Sequence, residues 1–108
     1  MAQDFRNVLV RTIGTGDTTL LAAGNYDAVI GIRCCNILTS TIAVDVKIAK
    51  GGDDYFLAKG VSIPPNSAIE LIQGGAKIVL DSTNTLEAVS DTASSLDVTL
   101  SYIDTISS

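Results

Sequence analysis

The fold class of this chain is decided by residues Ala43 to Leu80, which read AVDVKIAKGGDDYFLAKGVSIPPNSAIELIQGGAKIVL. Short apolar runs in this stretch are interrupted by Gly51-Gly52-Asp53-Asp54, Pro64-Pro65-Asn66-Ser67 and Gly74-Gly75. Glycine, proline, asparagine, aspartate and serine are the residues that end strands and turn the chain. The stretch is therefore predicted to be a β-meander, in which each strand is followed by a turn and the next strand.

The best-patterned strand of the stretch is predicted from Thr41 to Lys50. Its apolar residues recur at every second position from Ile42 to Ile48, which is the period of a strand with one buried face. Gly51 and Gly52 follow this strand and predict a tight hairpin turn.

Prolines and glycines punctuate the second half of the same stretch. Pro64-Pro65 cannot donate main-chain hydrogen bonds, so Val61 to Pro65 is expected at the edge of a sheet or in a crossover. Residues 68–73 and 76–81 are then expected to pair with each other as a hairpin across Gly74-Gly75, because tight turns of this kind require glycine.

Further strands are predicted on both sides, at residues 7–13, 18–22, 26–38, 84–89 and 96–104. In the strand at 26–38, one face carries Ala28, Ile30, Ile32 and Cys34, and the other carries Val29, Gly31, Arg33 and Cys35. The second face is mixed rather than polar, as in a strand that is covered on both sides or that faces another subunit. Gly31 indicates a bulge or a close backbone approach.

About eight or nine short strands without a helical period predict an antiparallel β-sandwich, either jelly-roll or immunoglobulin-like. The length of 108 residues suits one domain. We expect residues 1–6 to form an N-terminal arm and residues 7–108 to form the sandwich.

Charge and cysteine content exclude several classes of partner. The net charge is −5, and the basic residues are not clustered, which argues against a nucleic-acid partner.

Cys34 and Cys35 are adjacent, so in a strand one faces the core and the other faces outward. Unpaired thiols fit a reducing compartment such as a cytoplasm. The N-terminus lacks the pattern of a signal peptide, and no apolar run is long enough for a membrane span.

Catalytic chemistry is not supported by the residue types present. The chain has no histidine, which removes the commonest general base and the commonest metal ligand. No catalytic residue, metal ligand or cofactor site is predicted. A small carbohydrate-binding or receptor-binding sandwich stays open as an alternative. Its stacking platforms would come from the five aromatic residues, and either Tyr55 or Phe56 is expected to face inward.

Four segments together carry a resemblance to a known class of proteins. They read NVLVRTIGTGDTTLL, YDAVIGIRCCNILTSTIAVDVKI, DYFLAKGVSIPPNSAIELIQGGAKIVL and SSLDVTLSYID. In these segments the chain resembles the small virion structural proteins of tailed bacteriophages, especially those of marine and cyanobacterial phages. The resemblance extends from about Asn7 to Ile103.

This resemblance implies a non-enzymatic protein of the virion, assembled in the cytoplasm of a bacterial host. The first expectation is a capsid decoration (cement) protein that binds the major capsid shell, and the second is a neck, tail or baseplate component. Homotrimers or other rings are expected, because symmetry uses one small patch many times. The expected contact residues lie in the arm, on the mixed face and at the proline edge; they are Phe5, Arg6, Arg33, Cys35, Ile37, Pro64 and Pro65.

Overall fold

The computed structural model describes residues 5–22, 26–72 and 78–104. These residues form nine β-strands, and no helix long and apolar enough to cross a membrane occurs among them. The strands are β1 (Phe5–Ile13), β2 (Thr18–Ala22), β3 (Asp27–Asn36), β4 (Ile42–Lys50), β5 (Asp53–Ile63), β6 (Ala68–Glu70), β7 (Ile78–Leu80), β8 (Thr85–Ser90) and β9 (Leu96–Ile103).

The strands form two antiparallel sheets, as the sequence predicts for a β-sandwich. The first sheet has the order β1-β9-β3-β6, with β7 also paired to β3, and the second has the order β2-β8-β4-β5. When β6 and β7 are taken as one interrupted strand, these are the two strand orders of a jelly roll. The jelly-roll alternative is therefore the one that the strand order matches.

The core lies between the two sheets and is built from alternate residues of their strands. Aliphatic side chains from both sheets dominate it, and several have no exposed surface, among them Val29, Ile32, Val46, Leu86 and Leu100. The predicted alternation of the strand at 41–50 is confirmed, since Ile42, Val44 and Val46 are buried. Gly51 and Gly52 form the predicted hairpin between β4 and β5, both with positive φ.

A bulge in β3 changes which residues face the core. The register between β3 and β9 shifts between Val29 and Gly31, so Ile30 is an extra residue in β3. The bulge expected at Gly31 is thus confirmed. The predicted apolar face is correct for Ala28, Ile32 and Cys34, which are buried, but Val29, predicted on the other face, is also buried, and Ile30 at the bulge is partly exposed.

The hairpin predicted across Gly74-Gly75 is wrong. β6 pairs with Arg33 to Cys35 and β7 pairs with Asp27 to Val29, so both lie along the same edge of β3 instead of pairing with each other. Because β3 is long, one of its edges can form main-chain hydrogen bonds with both short strands. Gly74 and Gly75 lie outside the described residues.

The adjacent prolines lie where the sequence predicts. β5 is an edge strand of the second sheet and ends at Ile63, and Pro64 and Pro65 follow in the crossover to β6 in the first sheet. At the N-terminal side, β1 begins at Phe5, two residues before the predicted start, so Phe5 and Arg6 belong to a strand. The first four residues of the predicted arm lie outside the described residues.

Candidate interaction surface

The side of the first sheet that faces away from the core is its outer face. Strand register and exposure place on it Phe5, Asn7 and Leu9 of β1, Asp97, Thr99 and Ser101 of β9, Gly31, Arg33 and Cys35 of β3, Glu70 of β6 and Val79 of β7. Three of the predicted contact residues, Phe5, Arg33 and Cys35, therefore share one face. This face mixes apolar, polar and charged side chains, which agrees with the mixed face predicted for the third strand.

Large apolar side chains project from the outer face at both of its edges. Phe5 is 77% exposed and Leu9 is 69% exposed on β1, and Val79 is 56% exposed on β7. Leu9 and Val79 were not among the predicted contact residues, because continuous aliphatic runs do not show which residue faces outward. The sequence does give one signal: these runs do not alternate between apolar and polar residues, whereas a strand with one solvent-exposed face normally does.

Arg6 lies in phase with the inward-facing Val8, at the end of β1. Its guanidinium forms an ion pair with Asp104, just after β9. Arg33 lies farther along the outer face and forms an ion pair with Glu70 of β6, with 2.6 Å between Nε and Oε1. Both side chains of the Arg33 pair are substantially exposed, so the pair positions two charges without contributing much stability.

An open depression lies beside Phe5, at the end of the first sheet where β1 begins. It measures about 640 Å³ and is lined by Phe5, Arg6, Asn7, Ile30, Ser101 and Tyr102. Gly31 lies on the neighbouring surface, where an added Cβ would make only an ordinary contact with the Ser101 Cβ, at 3.9 Å. The surface is therefore an open relief on a sheet and not an enclosed ligand pocket.

The remaining predicted contact residues lie at the end of the sandwich where β3 ends. Ile37 is 40% exposed and follows β3, and its main-chain N–H donates to the carbonyl of Ser95. Pro64 and Pro65 are exposed in the crossover, and the carbonyl of Pro64 accepts from the Asn36 side chain. The structure thus separates these residues from the outer face.

The two cysteines divide as predicted. Cys34 is buried in the core, and Cys35 is partly exposed on the outer face. Burial, with a smaller contribution from the negative charge of Glu70, raises the pKa of the Cys34 thiol to about 12. Because the thiolate is the nucleophile and the metal ligand, the protonated Cys34 thiol is held in its unreactive form and packs as a core residue.

The outer side of the second sheet is organised around a buried lysine. The Lys47 ammonium bonds to a carboxylate oxygen of Asp17 and to one of Asp54, each at 3.0 Å, and hydrogen bonds to both acids raise its pKa. Phe56 lies beside it, with its ring centre 5.9 Å from Lys47 Nζ and 4.4 Å from Lys59 Nζ. Lys47 stands between the apolar positions of the alternating strand, so the sequence predicts that it faces outward, but not that neighbouring residues cover it.

The aromatic residues of β5 lie on opposite sides of their strand. Phe56 pairs with Lys47 on the outer side, and Tyr55 pairs with Ile48 on the core-facing side, so one of them faces inward as expected, but Tyr55 is 56% exposed and Phe56 is 44% exposed. Both lie close to the β4–β5 hairpin, on an edge strand, where the side of the strand that would face the core is no longer covered by the other sheet.

Metal-ligating residue types and similarity to known proteins give two further findings. Among the described residues, no group of three or more cysteine, aspartate or glutamate side chains could hold a metal ion. No model of a known protein family matches this chain, and a search of curated proteins finds no match. Among the described residues, the two most exposed large apolar side chains, Phe5 and Leu9, both lie on the outer face of the first sheet.

Proposed function

We propose that this chain is a structural protein of a tailed-bacteriophage particle and that it decorates the capsid by binding the major capsid shell. The proposal rests on the sequence resemblance and on the outer face of the first sheet. That face carries Phe5 and Leu9, each more than two-thirds exposed. Exposed apolar side chains that share a surface are typical of contact sites.

The fold is compatible with this role. Jelly rolls occur in viral capsid domains and in lectins, so the strand order alone favours neither decoration nor sugar binding. A jelly roll presents two broad sheet faces, and a broad face suits the large and shallow contact that a capsid shell offers. A neck, tail or baseplate position would use the same face.

Sugar binding is the weaker alternative. Stacking on a carbohydrate ring needs an exposed aromatic face. The ring of Phe56 is already covered by the Lys59 ammonium at 4.4 Å, which leaves Tyr55 as the exposed ring of the β4–β5 hairpin. Phe5 and Tyr26 are also exposed, but Phe5 lies in the first sheet and Tyr55 in the second, so Tyr55 and Phe5 do not share one platform for a sugar.

Quantitative mass spectrometry of purified particles of the phage that encodes the chain tests the proposal. We expect peptides of this chain at an abundance comparable with that of the major capsid protein. A far lower but reproducible abundance would assign the chain to the neck, tail or baseplate. Absence of the chain from purified particles would overturn the proposal. A glycan array with the purified chain and the Tyr55→Ala variant tests the sugar alternative separately.

A further inference from the structure

The two sheets have four edges, and three of them are interrupted. β2 spans five residues, and its register against β8 shifts between Thr19 and Leu21. β5 has two register shifts against β4. The edge formed by β6 and β7 consists of two segments of three residues each. Short strands and bulges of this kind prevent pairing with another chain.

The edge formed by β1 is different. From Phe5 to Val10, each residue of β1 pairs in unbroken register with one residue of β9, and the first irregularity comes after Val10. Among the described strands, β1 pairs only with β9, so its other edge offers a regular row of main-chain donors and acceptors. The two most exposed apolar side chains among the described residues, Phe5 and Leu9, lie on this strand.

We infer that two copies of this chain pair through the edges of β1 that face away from β9, antiparallel, about a two-fold axis at Asn7. The inference concerns the chain in solution and does not depend on the proposed function. Main-chain hydrogen bonds then join the two first sheets into one continuous sheet. Each copy uses its β1 edge once, so the assembly closes at two copies, and no other regular edge remains among the described strands.

Symmetry and side-chain pairing fix the axis at Asn7. In antiparallel strands, residues directly opposite each other project to the same face of the sheet. If the outer faces of both copies are to lie on the same side of the joined sheet, the two-fold axis must pass between one residue and the same residue of the second copy. With the axis at Asn7, Phe5 of each copy lies opposite Leu9 of the other, so the two large apolar side chains pack side by side and remain on the combined outer face. With the axis at Val8, Phe5 would lie opposite Arg11, and Leu9 would lie opposite Asn7.

A second copy fits this edge better than an unrelated strand. Phe5 and Leu9 flank Asn7 symmetrically, so each supplies the apolar partner that the other needs. At this register Arg6 lies opposite Val8 of the second copy, and no like charges face each other. Pairing over residues 5–9 makes a small interface, in the range below ~1,200 Å² that is typical of weak, transient contacts. We therefore expect a dissociation constant on the order of micromolar.

Sedimentation equilibrium of the purified chain tests this inference with matched variants. The wild-type chain is expected to be dimeric at about 100 µM and to dissociate on dilution. Phe5→Lys and Leu9→Glu are each expected to weaken the dimer at least tenfold, since each places a charge opposite an apolar side chain. Val79→Lys is the control, because Val79 is an exposed apolar residue at the opposite edge of the same sheet.

Mixing the two variants tests the register itself. In a mixed dimer about Asn7, the new lysine faces the new glutamate, while the native leucine of one chain faces the native phenylalanine of the other. The mixture is therefore expected to associate more tightly than either variant alone. An axis at Val8 gives no such rescue, because Phe5 and Leu9 are then not opposite each other.

Oxidative cross-linking gives a second readout that does not depend on charged substitutions. Asn7→Cys in a Cys35→Ser background is expected to form a disulfide between two copies, because residues opposite each other across the axis lie within disulfide range. A wild-type chain that stays monomeric at all concentrations would overturn the inference. So would trimers, a mixture without rescue, an equal loss with Val79→Lys, or no cross-link at Asn7. None of these results would change the particle measurement described above.

Discussion

The side-chain amide of Asn36 donates a hydrogen bond to the main-chain carbonyl of Ile63, at 3.0 Å. This bond joins the end of β3 in the first sheet to the end of β5 in the second. The same amide also donates to the carbonyls of Ser40 at 2.7 Å and Pro64 at 3.1 Å, and its oxygen accepts from the N–H of Leu38 at 2.9 Å. One fully buried side chain therefore ends β3 and holds the crossover.

Replacing Asn36 with aspartate is expected to destabilise the fold strongly. Asn36→Asp keeps the size of the side chain but removes both donor hydrogens, and it places a charge against buried carbonyl groups. Each buried polar group left without a partner costs roughly 1–3 kcal/mol, so the free energy of unfolding should fall by about 3 kcal/mol or more. Urea denaturation measures this change.

Asp53→Asn is the matched control for this substitution, because it exchanges the same two residue types at an exposed position next to the β4–β5 hairpin. Its effect is expected to stay within ~0.5 kcal/mol. Equal effects at the two positions would show that Asn36 does not hold the crossover.

Local patterns in the sequence predict the strands well, and they fail where pairing is non-local. Alternation from Ile42 to Val46 predicts the buried face of β4, and Gly51-Gly52 predicts its hairpin. The pairing of β6 and β7 with β3 could not be read from Gly74-Gly75, because glycines permit a hairpin but do not choose the partner strand. Which strand lies beside which is set by the packing of the whole sandwich.

The candidate surface was predictable only in part, for a related reason. Arg33 and Cys35 were placed on a mixed face by strand alternation, and Phe5 was selected as part of an arm. Leu9 was missed because its neighbours are also aliphatic. The bulge at Ile30 reverses the phase of β3, so residues on the two sides of it cannot be placed by one alternation pattern.

Replacing Lys47 and replacing its two acidic partners, Asp17 and Asp54, are expected to destabilise the fold by different amounts. Lys47→Met leaves Asp17 and Asp54 without a partner, but these carboxylates are 54% and 41% exposed and can be solvated by water. The double variant Asp17→Asn with Asp54→Asn instead leaves a lysine whose side chain is 8% exposed without a countercharge.

Thermal unfolding at neutral pH should therefore show a larger loss for the double variant than for Lys47→Met. The triple variant should recover most of that loss, because the buried charge is then absent. A Lys47→Met variant that melts well below the double variant would contradict this account of the cluster.

Gly60 has room for a side chain, but its backbone conformation is one that residues with a side chain disfavour. Its φ is +64°, and a Cβ would meet nothing within 4 Å, while its N–H donates to Asp45 Oδ1 at 2.6 Å. Gly60→Ala should thus cost about 1–2 kcal/mol through backbone strain alone. Gly16→Ala is the control, since Gly16 is equally open but is not at positive φ. A similar cost at both positions in urea denaturation would contradict this explanation.

Acid is expected to weaken the fold through Asp81. Hydrogen bonds from the hydroxyl and N–H of Thr83, together with Lys50, lower the pKa of Asp81 from 3.8 to about 2. A carboxyl group whose pKa is lower in the folded state stabilises the fold above its unfolded pKa. That contribution is fully present above about pH 4 and is lost as the pH falls towards 2.

Asp81→Asn should therefore lower the thermal midpoint at pH 6, and the difference from wild type should shrink between pH 4 and pH 2. Thr83→Val should reproduce part of this pH dependence, because it removes the hydroxyl donor and keeps the main-chain donor. A difference between Asp81→Asn and wild type that stays constant from pH 6 to pH 2 would show that this ionisation does not contribute to stability.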